Sequence, residues 1–144
     1  MPWKVNGESW HLGKKGFPPG KPVKWDRSLL PKFLGILKEV EPKLTVKWDL
    51  RDAIGVRVPG ITRLWVRIKT KERDALEVWL MCKPAQFNNA RFEGIGRDAK
   101  VESDRQEGCD ILTLKFVSGD HMDTKRLKTL LKEQLAGFKE LRGE

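Results

Sequence analysis

Apolar residues recur along this chain at two spacings. Leu30, Phe33, Leu34, Leu37 and Val40 stand three and four apart, which lines one face of an α-helix. Asp26 or Ser28 supplies its N-cap, Pro31 falls in the first turn where a missing N–H goes unnoticed, and Pro42 stops it. A second helical stripe runs through Leu127, Leu130, Leu131, Leu135, Phe138 and Leu141, interrupted by Gln134 and capped by Asp123 or Thr124. Lys125, Arg126, Lys128 and Lys132 lie mostly off that stripe, as a solvated face or a phosphate-contacting one.

Between the helices the spacing shortens to two. Residues 45–50, 55–58, 64–70, 75–81 and 110–117 read as strands. Residues 90–95 are a further strand candidate, whereas Gly94, Gly96 and the charged run from Arg97 to Gly108 read as a long mobile connection. The link from Thr70 to Ala75 is too short for a parallel crossover, so its flanking strands pair antiparallel. The expected fold is α+β, a mainly antiparallel sheet of about five strands with an N-terminal and a C-terminal helix packed on one side. At 144 residues this is a single domain, with residues 26–144 as its body.

Residues 1–25 form a basic arm. Trp3, Trp10 and Trp25 bracket a loop from Gly13 to Lys24 in which Lys14, Lys15, Lys21 and Lys24 alternate with glycines and prolines that prevent regular structure. The arm is either flexible or an Ω-like cover whose tryptophans dock on the sheet. A second basic stretch follows the strand of residues 64–70. Period-two alternation sets Leu64, Val66 and Ile68 on one side and Trp65, Arg67 and Lys69 on the other, with Arg63, Lys71 and Arg73 extending the positive stripe. Trp65 either stacks on a base or packs under the arm, and Trp10 and Trp25 are the further stacking candidates. Trp79 and Trp48 read as core, because both sides of the strand carrying Trp79 have apolar bulk.

A formal net charge of +9, with 34% charged residues, favours an acidic partner: nucleic acid, an anionic membrane surface or an acidic protein. No apolar run approaches the roughly 18 residues of a membrane helix, and Lys4, Glu8 and His11 break the N-terminus where a signal peptide needs an apolar core. The expectation is a cytoplasmic protein without membrane association. Cys82 and Cys109 lack the spacing of a zinc site and read as free buried thiols, with one disulfide between them as the alternative.

Motifs for catalysis are missing. A nucleotide-binding P-loop fails at both ends, since Lys15 stands where the first glycine belongs and Pro22 where a serine or threonine would hold magnesium. His11 and His121 have no ligand-spaced partners, so no metal and no cofactor is expected. Asp110 and Lys115, five apart on one strand, point to opposite sides and do not converge as a nuclease centre would.

Trp10-His11, the run from Lys15 to Lys21, Trp25, Trp65, Thr70-Lys71, Gly94 to Asp98 and Leu114-Lys115-Phe116 together resemble an accessory domain of the UvrA-like excinuclease proteins of bacteria. The resemblance spans nearly the whole chain and implies a non-catalytic appendage acting in DNA repair. The ATPase loops and zinc module of that family have no counterpart here, so its catalytic properties are not implied. Two functional readings follow. In one, the arm and the stripe from Arg63 to Arg73 bind single- or double-stranded DNA through phosphates, with tryptophan stacking where strands fray. In the other, the tryptophan-rich arm docks on a protein such as a repair partner. A nuclease or a small-molecule pocket under the arm is the minor alternative.

Overall fold

The computed structural model describes residues 1–13 and 23–143. Helix α1 (Pro2–Leu12), broken by non-helical backbone at Gly7, precedes α2 (Leu29–Val40). Strands β1 (Thr45–Lys47), β2 (Ala53–Arg57), β3 (Val66–Lys69) and β4 (Leu76–Cys82) follow, then β5 (Ala99–Asp104), β6 (Cys109–Phe116) and helix α3 (Thr124–Arg142). The strands form one sheet in the order β1-β2-β3-β4-β6-β5, antiparallel throughout. The α+β class is therefore as expected, with six strands rather than five.

The sixth strand lies in the stretch read as a mobile connection. In β5 only Ala99 and Val101 turn half-buried toward the core while Lys100 and Glu102 stay exposed, so its apolar signal is faint. Tertiary pairing makes it a strand: β5 and β6 are a hairpin whose turn runs from Arg105 to Gly108, with Gly108 at φ 64° in the left-handed region that suits glycine. The strand expected at residues 90–95 is instead a short 3₁₀ turn, Asn89–Phe92, with Phe92 and Ile95 plugged into the core.

One face of the sheet carries the core. Ile54, Ile68, Val78, Leu80, Leu112 and Leu114 are all fully buried beneath α2 and α3, which supply Phe33, Leu37, Leu130 and Phe138. Each residue of this kind contributes roughly 1.5–3 kcal/mol on leaving water. The Asp26 carboxylate accepts from the Ser28 N–H at 2.9 Å just before α2, and Asp123 caps α3 by accepting from Arg126 N–H. Gln134, the polar break in the α3 stripe, is buried with both amide ends satisfied. Its Oε1 accepts from Trp65 Nε1 at 2.5 Å and its Nε2 donates to the Met81 carbonyl at 2.6 Å. Cys82 and Cys109 are buried free thiols.

Alternation breaks at the start of β3. Trp65 donates its backbone N–H to Val56, whose ladder partner is Val66, so two residues of one strand stand opposite one of the other. That bulge reverses the parity before it. Trp65 goes to the helix side and is fully buried, while Leu64 covers the opposite side at Gly55, where a Cβ would come within 2.7 Å of Leu64 Cδ2. The placement of Trp65 beside Arg67 and Lys69 is corrected accordingly.

Candidate nucleic-acid interface

Among the described residues no helix covers the other face of the sheet along its middle strands, and α1 flanks it only at the β1 edge, beside Lys47 and Arg57. The register places Lys47, Gly55, Arg67, Trp79, Thr113 and Lys100 in one row across it. Beside them stand Ala53, Lys69, Glu77 and Lys115 in one row and Met81, Ile111 and Glu102 in the next. Arg57 lies on the same face near the β1 edge. Thus Lys47, Arg57, Arg67, Lys69, Lys100 and Lys115 share one surface with three carboxylates, Glu77, Glu102 and Asp104. Glu77 faces Lys115 at 3.7 Å and Glu102 faces Lys100 at 2.9 Å. The carboxylate and hydrogen bond of Glu102 hold the Lys100 ammonium above the ordinary lysine range.

Trp79 stands at the centre, half-buried rather than in the core as its sequence context suggested. Its Nε1–H donates to Glu77 Oε2 at 2.7 Å, and Lys69 Nζ lies 4.3 Å from its ring centroid, a cation–π contact. The indole separates two clefts. One, of about 310 Å³, has Leu64, Met81 and Ile111 as apolar walls with Arg63, Arg67 and Glu107 around them. The other, of about 580 Å³, is mixed: Lys100, Arg105 and Lys115 line it together with Glu77, Glu102 and Asp104, beside Ile111.

Of the described residues singled out from sequence, Arg67 and Lys69 occupy this surface directly and Arg63 lines its apolar cleft. Lys14, Lys15 and Lys21 lie outside the described residues. Lys24 is exposed and faces Asp74 at 3.6 Å. Trp25 is 4% exposed and donates Nε1–H to the Glu72 carbonyl at 2.8 Å, so its ring, like that of Trp65, is closed to a stacking base. Both stacking assignments are corrected by burial. Arg63 is ion-paired with Glu107, which also faces Arg142 at 3.5 Å, so it sits at the far end of the sheet from Lys71 and Arg73. Arg73 is exposed in the β3–β4 turn.

Lys71 belongs to the docking of α1 instead. Its Nζ donates to the Trp10 carbonyl and lies 4.9 Å from the Trp10 ring centroid. Burial, reinforced by the nearby Arg27 charge and opposed by Asp52, brings its ammonium down to about 8. Trp10, half-buried, donates Nε1–H to the Arg51 carbonyl at 2.7 Å. Next to it the buried His11 donates Nε2–H to the Leu50 carbonyl at 2.7 Å, which leaves Nδ1 to accept from the Thr70 hydroxyl. Residues 2–12 of the arm are thus a docked helix, held by its tryptophan and histidine.

Trp79, Lys100, Lys115, Lys47 and Arg57 were not singled out as site residues from sequence. The available signal was parity: Glu77, Trp79 and Met81 alternate with Leu76, Val78 and Leu80, and the more polar set faces out. Among the described residues no group of histidine, cysteine and carboxylate side chains is arranged to hold a metal ion, and no helix is long and apolar enough to cross a membrane. Comparison of the chain with protein-family models, with curated proteins and with solved structures found no match. The resemblance to UvrA-like accessory domains therefore rests on the residues quoted for it.

Proposed function

We propose that this chain is a non-catalytic nucleic-acid-binding module that meets the phosphate backbone with the helix-free face of its sheet. The observation that carries this reading is the spread of Arg67, Lys69, Lys100 and Lys115 around the half-buried Trp79 on one surface, extended to the β1 edge by Lys47 and Arg57, which share a cleft there with α1. Among the described residues no ion pair engages Lys47, Arg57, Arg67 or Lys69. Cations of this kind bind phosphates by releasing counterions, without regard to base sequence. The net charge of +9 adds long-range attraction of the same sign. The resemblance to UvrA-like accessory domains points to DNA repair as the setting, with the module working beside a larger protein.

Fluorescence anisotropy of labelled DNA over a salt series tests this. If about five phosphates are engaged, log affinity for duplex falls against log salt with a slope of roughly 4 to 5. Arg67→Ala with Lys69→Ala flattens that slope by about two phosphates' worth. Absence of binding at low salt sinks the reading and turns attention to a protein partner for the arm, where Met1 and Val5 are 70% and 82% exposed.

A further inference from the structure

We propose that the cleft beside Trp79 takes an unpaired nucleobase, so that the open face selects single-stranded nucleic acid. The inference rests on the reading above, that this face meets nucleic acid at all, and names the form of the ligand. A surface built only for a duplex backbone needs cations on a flat or grooved face and has no use for an apolar recess. Here the recess is present: about 310 Å³, walled by Trp79, Met81, Ile111 and Leu64. Bases inside a duplex are stacked on each other and cannot enter it, whereas an unpaired base has two free π faces.

The polar groups are placed to match. Arg63 and Arg67 line the same cleft, within reach of the phosphates that flank an inserted base. Glu107 is the carboxylate of the cleft, and its charge is offset by Arg63 and Arg142, so it offers acceptor oxygens to a base edge without repelling the backbone. Trp79 and Ile111 also line the second cleft, where Lys100, Arg105 and Lys115 stand among Glu77, Glu102 and Asp104. A strand crossing over the indole therefore has an apolar recess for a base on one side and, on the other, Arg105 for the next phosphate, the one cation of that cleft outside an ion pair among the described residues. Lys69 over the Trp79 ring adds a charge at the crossing point.

The test compares oligothymidylate of about twelve nucleotides, within the range of single-strand site sizes, with an abasic strand of the same length and charge. Anisotropy is read at low salt for the wild-type chain, Trp79→Ala and Trp79→Phe. The abasic strand is expected to bind at least about tenfold more weakly, in line with the stacking contribution of one base. Trp79→Ala should remove that gap and Trp79→Phe, which keeps a flat ring, should retain most of it. The same pair in ribose chemistry, oligouridylate and its abasic form, assigns the gap to DNA, RNA or both, and a gap in either supports the inference. Equal affinity for base-bearing and abasic strands, or a gap that survives in Trp79→Ala, overturns the base cleft and leaves the phosphate reading standing. Failure of every strand to bind overturns that reading, and this one with it.

Discussion

Trp65 and Trp79 stand on or beside neighbouring strands, each in a segment where large and polar residues alternate, yet one is sealed and the other is open. Trp65 is fully buried against α3 with its N–H on Gln134, whereas Trp79 is half-buried on the helix-free face with its N–H on Glu77. Residue type does not separate them, and flanking charge points the wrong way: the buried Trp65 has Arg63 and Arg67 beside it, while the half-buried Trp79 has Glu77. What separates them is which side of the sheet the helices cover, together with the bulge that moves Trp65 across. The indole that looks like a ligand platform is core, and the one that looks like core is the candidate platform.

Substitution sharpens the contrast. Trp65→Ala should cost about 3–5 kcal/mol by leaving a cavity under α3, measured by urea denaturation. If the loss stays under about 1 kcal/mol, as is typical of a surface change, the burial of Trp65 is not holding the sheet to α3. Gln134→Leu should cost about 1–3 kcal/mol, because the Trp65 N–H and the Met81 carbonyl lose their partner while remaining buried. A stability equal to wild type in the same assay counts against that buried amide as the link between the helix and the sheet.

On the open face the pattern inverts. Trp79→Ala should leave stability within about 1 kcal/mol while weakening nucleic-acid binding about tenfold, read by denaturation and anisotropy on the same sample. A large stability loss in this variant would place Trp79 functionally with Trp65 and erase the contrast.

The smallest expected effect concerns the arm. His11 is held neutral, its ionisation lowered first by burial, with the Lys71 charge adding to it and the Leu50 carbonyl opposing. The unfolded chain therefore binds more protons than the folded one as pH falls below the ordinary value of 6.5. Stability present above 6.5 should decline progressively between there and the lowered folded value, then level off. Lys71, brought down to about 8, follows the same sign at alkaline pH, with stability rising as pH climbs from about 8 toward 10.5. Thermal melts across pH, repeated with His11→Gln and Lys71→Met, check both windows. A slope below 6.5 that persists in His11→Gln assigns it elsewhere.

Much of the body was legible in the residues. The spacings of α2 and α3, their proline and aspartate boundaries, and the strands around Val56, Ile68, Val78 and Leu112 follow from periodicity, since an amphipathic element writes its buried face into its sequence. Strand β5 was hidden because an edge strand buries only Ala99 and Val101, and α1 because its docking depends on hydrogen bonds from Trp10 and His11 to distant carbonyls. Of the candidate site, Arg63, Arg67 and Lys69 were legible and their companions were not. Lys100 and Lys115 join them only through cross-strand register, a relation between residues far apart in sequence.

Local period and composition were enough to set the class of fold, the main elements, the core-facing residues of the two long helices and a strongly basic character. The order of the strands, the face left uncovered and the fates of Trp10, Trp25, Trp65 and Trp79 came from the tertiary structure. Those depend on long-range pairing and on one extra residue in β3, and a shift of one residue turns a side chain from core to solvent.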